Sequence, residues 1–204
     1  MIQYVEPALP LPKLWVSREQ RKLVAGVDLA FTADGCALVI LERHHDRLVT
    51  IEHDFRLPKP NEPLDPIAVT NEYLDRVSRI GCKHVIADVH YIELLRKAAN
   101  DRGVTLHNAP AGDARIQSWV TTRHYTREKS IAYPKESADH LRKIRSSART
   151  GGGMTISAPR GEASGHADLA YALAAAVWLD ARLHGIIGAL NTEIKTHKGA
   201  WTAP

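Results

Sequence analysis

Residues 23–41 read LVAGVDLAFTADGCALVIL: an apolar run, a polar break at Thr32–Gly35, then a second apolar run. The pattern predicts two strands, Leu23–Phe31 and Cys36–Arg43, joined at Ala33-Asp34-Gly35, because Asp-Gly between apolar runs is a favoured hairpin pair. Turn chemistry alone accounts for Asp34. It does not account for Asp28, which stands midway along the first predicted strand between Val27 and Leu29. A carboxylate buried without a partner costs several kcal/mol or more. A basic side chain, backbone donors or a metal ion must offset that cost.

Working outward, a third strand is predicted over Leu48–Arg56 after the short break His44-His45-Asp46-Arg47. No further His or Cys pair answers His44-His45 at ligand spacing, so zinc is not indicated there. The loop LPKPNEPLDP follows. Ile67, Thr70, Leu74 and Val77 then recur at helical spacing, predicting a helix over Pro66–Ile80 that Gly81 ends. Lys83–Asp88 reads as a short buried strand, Tyr91–Arg102 as a helix and Val104–Asn108 as another strand. Further helices are expected over Asp113–Lys129, Ser137–Arg149 and His166–His184, with a short strand at Met154–Ala158 after the glycines at 151–153. The last helix is Ala- and Leu-rich nearly all round, which marks a buried helix. Trp119 and Tyr125 are expected in the core. Three antiparallel strands followed by helix, strand, helix, strand predict a mixed sheet with helices on its faces.

The chain has 204 residues, 44% of them apolar and 25% charged, which fits one soluble globular domain. No apolar run nears the ~20 residues of a membrane helix, and the N-terminus lacks the pattern of a secretory signal. Residues 1–20, broken by Pro7, Pro10 and Pro12, are expected to form an arm or linker; residues 21–186 form the domain, and 187–204 a polar, mobile tail. Cys36 and Cys82 are expected to be buried free thiols in a reducing cytoplasm. Net charge is +4, yet residues 115–149 alone carry +6. Such concentration of positive charge is how a footprint for a polyanion appears in sequence. On the predicted helix Ser137–Arg149, Arg142, Arg145 and Arg149 share a face with Lys143 alongside. These four are the candidate contacts to a phosphate backbone, contacts that bind without reading sequence.

Two further acids join Asp28. Asp88 ends the strand HVIAD, where ligand sites of open sheets commonly lie. Asp168 sits in the first turn of the last helix, GHADLAYALAAAVW. Each alone is an ordinary turn or capping residue. Together, on the first strand, after the fourth and on a late buried helix, they resemble the acidic residues of the RNase H-like fold, a five-stranded sheet of three antiparallel and two parallel strands. Like charges gathered at one point would not all ionise without a cation. Mg²⁺ or Mn²⁺ bound by carboxylates, water and phosphate resolves this, and two such ions about 4 Å apart can activate water and stabilise the leaving oxygen of a phosphodiester.

Within that superfamily, APRGEASGHADLAYALAAAVW resembles the closing motif of the nuclease domain of phage large terminase subunits. VAGVDLAFTADGCALVIL resembles their first hairpin, and HVIADVHYIELLRKA their middle strand and helix. The resemblance spans residues 22–184. It implies a metal-dependent endonuclease that cuts concatemeric viral DNA during genome packaging. It also implies two Mg²⁺ or Mn²⁺ ions held by Asp28, Asp88 and Asp168, with His166 as an accessory ligand. The implied partners are double-stranded DNA, an ATPase motor domain, and the portal and small terminase. The implied location is the host cytoplasm, away from any membrane. One departure stands out: large terminases carry an N-terminal ATPase domain, and nothing here matches G-x-x-x-x-G-K-[ST]. The chain then reads as an excised domain or as a protein without a motor. A Holliday-junction resolvase or transposase would share the carboxylates but need a dimer surface or added DNA-binding elements. An actin-like ATPase domain would need glycine-rich phosphate loops where Phe31-Thr32-Ala33 stands. A catalytically silent DNA-binding or capsid-docking module would keep buried acids that only destabilise it.

Overall fold

In the computed structural model, residues 22–32, 34–148, 154–158 and 167–185 are described. The expected arm at 1–20, the tail at 187–204, His166 and Arg149 lie outside them. The sheet has six strands in the order β5-β4-β1-β2-β3-β6. β1 (Lys22–Asp28) lies at its centre, antiparallel to β2 (Cys36–His44) and parallel to β4 (His84–Ala87). β3 (Arg47–Arg56) continues the meander, and β5 (Thr105–Asn108) extends the parallel side. The five expected strands are all present. The sixth, β6 (Ile131–Ala132), pairs only with Leu48 and Val49 of β3, and two residues are too few to leave a periodic signal.

Strand alternation divides the core. Leu23, Ala25 and Val27 of β1 join Val85 and Ala87 of β4 in one cluster. That cluster is covered by α1 (Pro66–Arg79) and α2 (Ile92–Asn100), through Val69, Tyr73, Leu74, Val77, Leu95 and Ala99. α1 begins cleanly: Asp65 accepts from the backbone N–H groups of Ile67 (2.8 Å) and Ala68 (3.1 Å), and Pro66 occupies the first turn. Gly81, at φ +85°, ends it. The intervening residues, Val24 on β1 and Ile86 on β4, face the second cluster. α5 (Asp168–Leu183) fills that face, with α3 (Asp113–Arg127) and α4 (Lys135–Leu141) beside it. Trp119 and Tyr125 are core residues, as expected.

Gly26 sets how close α5 comes. A Cβ at Gly26 would lie 2.0 Å from the carbonyl oxygen of Ala172 and 2.9 Å from the Ala176 nitrogen. The helix backbone therefore rests directly on β1, which explains why this helix is built from alanine. No described helix is long and apolar enough to cross a membrane. Cys36 and Cys82 are buried and free.

Two expectations are corrected. The helix predicted over Ser137–Arg149 stops at Leu141, and Arg145–Ala148 instead forms β7, antiparallel to β8 (Met154–Ser157). The paired serines Ser146 and Ser147 compete with helix through local backbone hydrogen bonds, and cross-strand pairing prevails. Arg142 and Arg145 thus share no helix face. Asp28 is not midway along a strand either: β1 ends on it, and a connection over residues 29–35 replaces the tight Asp-Gly hairpin.

Candidate active site

The alternation that sorts the core also aims the carboxylates. Val24, Gly26 and Asp28 share the α5 face of β1, and on β4 Ile86 and then Asp88 follow the same period. Because Val27 pairs with Ala87 in parallel register, Asp28 and Asp88 are the next positions at the carboxyl ends of neighbouring strands. Asp168 opens α5 on that side and is 3% exposed. Its Oδ2 accepts from the Gly35 backbone N–H at 3.2 Å. Gly35 is needed there: an added Cβ would lie 2.5 Å from the Phe55 ring, 2.8 Å from the Arg56 carbonyl and 3.0 Å from that same Asp168 oxygen. The β1–β2 connection, read from sequence as a simple turn, thus supplies a backbone donor to a buried acid.

Asp28 registers the crowding. Burial chiefly, then the carboxylates of Asp168, Asp88 and Asp34, push its pKa up to about 8, against a smaller opposing effect of the Arg115 guanidinium. Asp34 therefore does more than make a turn, since its charge is felt in the cluster. Asp88 is exposed at the edge. The local negative excess is what a divalent cation would offset, and the donors are hard carboxylate oxygens, which suit Mg²⁺ or Mn²⁺. Among the described residues, no three His, Cys, Asp or Glu side chains close into a ready-made cage. That matches the way Mg²⁺ is usually held, by one or two carboxylates with water and substrate phosphate completing its shell.

A histidine missed in the sequence holds Asp168 in place. The N-cap of α5 is Ala167 at φ +69°, with no side-chain cap of its own. Instead His140, from α4, accepts from the Leu169 N–H through Nδ1 at 3.3 Å. Its ring lies edge-on to Phe55, centroids 4.8 Å apart. Burial first, then Lys143, lowers its pKa to about 4 despite the opposing Ala167 carbonyl and Asp139. The imidazole is then neutral at pH 7, as an accepting nitrogen requires. Nothing in the sequence marks a cap that lies 29 positions away.

The basic residues are dispersed. Arg142 pairs with Asp139, while Arg145 donates to the carbonyls of Arg142 (2.6 Å) and Ile144 (3.3 Å). Lys143 lines a cleft of about 480 Å³ with Phe55, His140 and Leu169, beside the first turn of α5.

No family model matches the chain, and no curated protein matches it in sequence. Solved structures do. The large terminase nuclease of the thermophilic phage G20c superposes with a TM-score of 0.59 at 18% identity, over 78% of this chain and 82% of that one. The nuclease domain of the Thermus phage P74-26 large terminase gives 0.61 at 17%, over 78% and 79%. The HK97 bacteriophage large terminase gives 0.63 at 17%, over 78% of this chain and 40% of that longer one. The G20c nuclease has also been solved with bound magnesium and with bound cobalt. The chain has the RNase H-like fold of the phage large terminase nuclease domains.

Proposed function

We propose that the protein is a metal-dependent DNA endonuclease of the terminase type, cleaving concatemeric viral DNA during genome packaging. The observation that carries this reading is the gathering of Asp28, Asp88 and Asp168 at one end of the central strands. It occurs in a fold shared with nucleases solved with divalent metals. Asp28, Asp88 and Asp168 would hold two Mg²⁺ or Mn²⁺ ions, with His166 as an accessory ligand. Bound there, the ions would activate water and stabilise the departing oxygen of a phosphodiester. The chain's own residues do the rest. Gly35 N–H fixes one oxygen of Asp168. His140 holds the turn on which Asp168 sits. Asp28, whose pKa burial and the neighbouring carboxylates push up to about 8, would give up its proton on binding a cation. Water adds to phosphorus and gives up a proton, one P–O ester bond breaks, and the departing oxygen takes up a proton.

The substrate is double-stranded DNA, cut with little sequence preference. Lys143, Arg142, Arg145 and Arg149 would be its phosphate contacts. By analogy with the longer large terminase of the thermophilic bacteriophage D6E, solved in complex with ATP-gamma-S, an ATPase motor domain is the expected partner, with the portal and small terminase, in the host cytoplasm. The test is incubation with supercoiled plasmid at low salt in Mg²⁺, Mn²⁺ or EDTA, beside Asp28→Ala. Nicking and linearisation that vanish in EDTA and in the variant support the reading. A folded wild-type protein inert in both metals rejects it.

A further inference from the structure

This inference rests on the nuclease reading and adds a residue to it. Arg43, Arg56, Arg76, Arg96, Arg102 and Arg142 are each committed to a carboxylate. Arg115 has no carboxylate partner among the described residues, although its charge acts on Asp28. What holds it is aromatic. Its guanidinium lies over the Tyr171 ring, 5.3 Å from the centroid, and Tyr171 meets Trp119 edge-on at 5.2 Å. Arg115 and Trp119 belong to the first turns of α3; Tyr171 is three residues beyond Asp168 in α5. The stack ties the start of α3 to the start of α5 and leaves the guanidinium exposed. Its charge reaches Asp28, opposing the carboxylates.

A guanidinium pinned by stacking keeps its fork of N–H donors for a planar or tetrahedral anion. Pinned this way, Arg115 faces the carboxylates without pairing with them, and an anion that also needs the carboxylate-held cations fits between. We propose that Arg115 binds the non-bridging oxygens of the scissile phosphate at the site of Asp28 and Asp168. Arg142 and Arg145, which spend donors on Asp139 and on backbone carbonyls, are then backbone contacts further from the cut.

The test uses the full chain and four variants: Arg115→Ala, Arg115→Lys, Tyr171→Phe and Tyr171→Leu. Single-turnover plasmid cleavage in Mn²⁺, duplex DNA binding in Ca²⁺ across a salt series, calorimetric Mn²⁺ titration and melting temperature are read for each. Arg115→Ala should slow cleavage roughly 100-fold and lower the salt slope of DNA binding by about one. Its Mn²⁺ affinity should be unchanged or tighter, since a nearby cation is gone, and its melting temperature unchanged. Arg115→Lys should restore the salt slope but not the rate, lacking the fork. Tyr171→Phe should match wild type, and Tyr171→Leu should fall between. Wild-type cleavage by Arg115→Ala, or loss of cleavage together with weakened Mn²⁺ binding, overturns the assignment. If the wild-type protein cleaves nothing, the nuclease reading fails separately, and an unchanged salt slope in Arg115→Ala then rejects the phosphate contact as well.

Discussion

Asp168 opens α5, and Asp180 lies about three turns further along the same helix. Both are buried. At the Asp180 end the counter-charge is built in. Arg43 of β2 reaches both carboxylate oxygens, its Nε at 3.0 and 3.1 Å, and also donates to the Tyr125 hydroxyl of α3 at 2.8 Å. The imidazole of His184 lies 3.2 Å from the same carboxylate. Strand, helix and second helix are locked by one closed network. At the Asp168 end the same layers meet, yet the acids act on one another and Arg115 is turned onto an aromatic ring. The contrast separates two uses of buried charge. One is neutralised inside the fold and specifies packing; the other, on the proposed reading, takes a cation and a phosphate from outside.

Substitutions should break this contrast in opposite directions. The largest effect is expected for Asp28→Asn, which should reduce plasmid cleavage at least about 1,000-fold, roughly 4 kcal/mol in barrier terms. In EDTA it should melt no lower than wild type, since a repelled acid has gone; a variant that melts lower in EDTA would show that Asp28 is structural. Arg43→Met should do the reverse. Leaving Asp180 buried without its partner should cost about 3–5 kcal/mol in urea unfolding, with Mn²⁺ affinity retained; weakened Mn²⁺ binding would show that the two ends are coupled. His140 predicts a pH effect at the open end. Unfolded, it takes a proton near 6.5; folded, not until about 4. Between those values only the unfolded chain is protonated, so stability should fall as pH drops through that window, by up to roughly 3 kcal/mol. His140→Gln should flatten that slope, and an equal slope in the variant would assign it elsewhere. Smallest is Asp65→Ala, which removes the local cap of α1 and should cost about 1 kcal/mol with no change in cleavage.

What could be read from the sequence followed from period and local chemistry. The apolar run around Asp28, the helical spacing of Ile67, Thr70, Leu74 and Val77, and the apolar run of α5 are local signals, and they yielded the sheet, α1, α5 and the three acids. What escaped depends on distant pairing. The Gly35 donor, the His140 cap and the Arg115–Tyr171 stack each join positions far apart in sequence. The β7 segment misled because Leu141, Ile144 and Ala148 keep helical spacing. Its fate was decided by Met154–Ser157, across the glycines. β6 is defined only by the two residues of β3 it meets.

That brief pairing has a consequence for how molecules of this protein meet one another. β3 has ten residues, but beyond Val49 its outer edge pairs with no described strand. Bare edges of this length are templates for a neighbouring chain. Here the half-buried, unpaired stretch carries Glu52, His53, Asp54 and Arg56 among its apolar residues, and Arg76 and Glu72 of α1 brace three of them. The charges that look like ordinary surface decoration on β3 act as a guard against strand-to-strand polymerisation, and neutralising them together would turn that edge into a seed for aggregation.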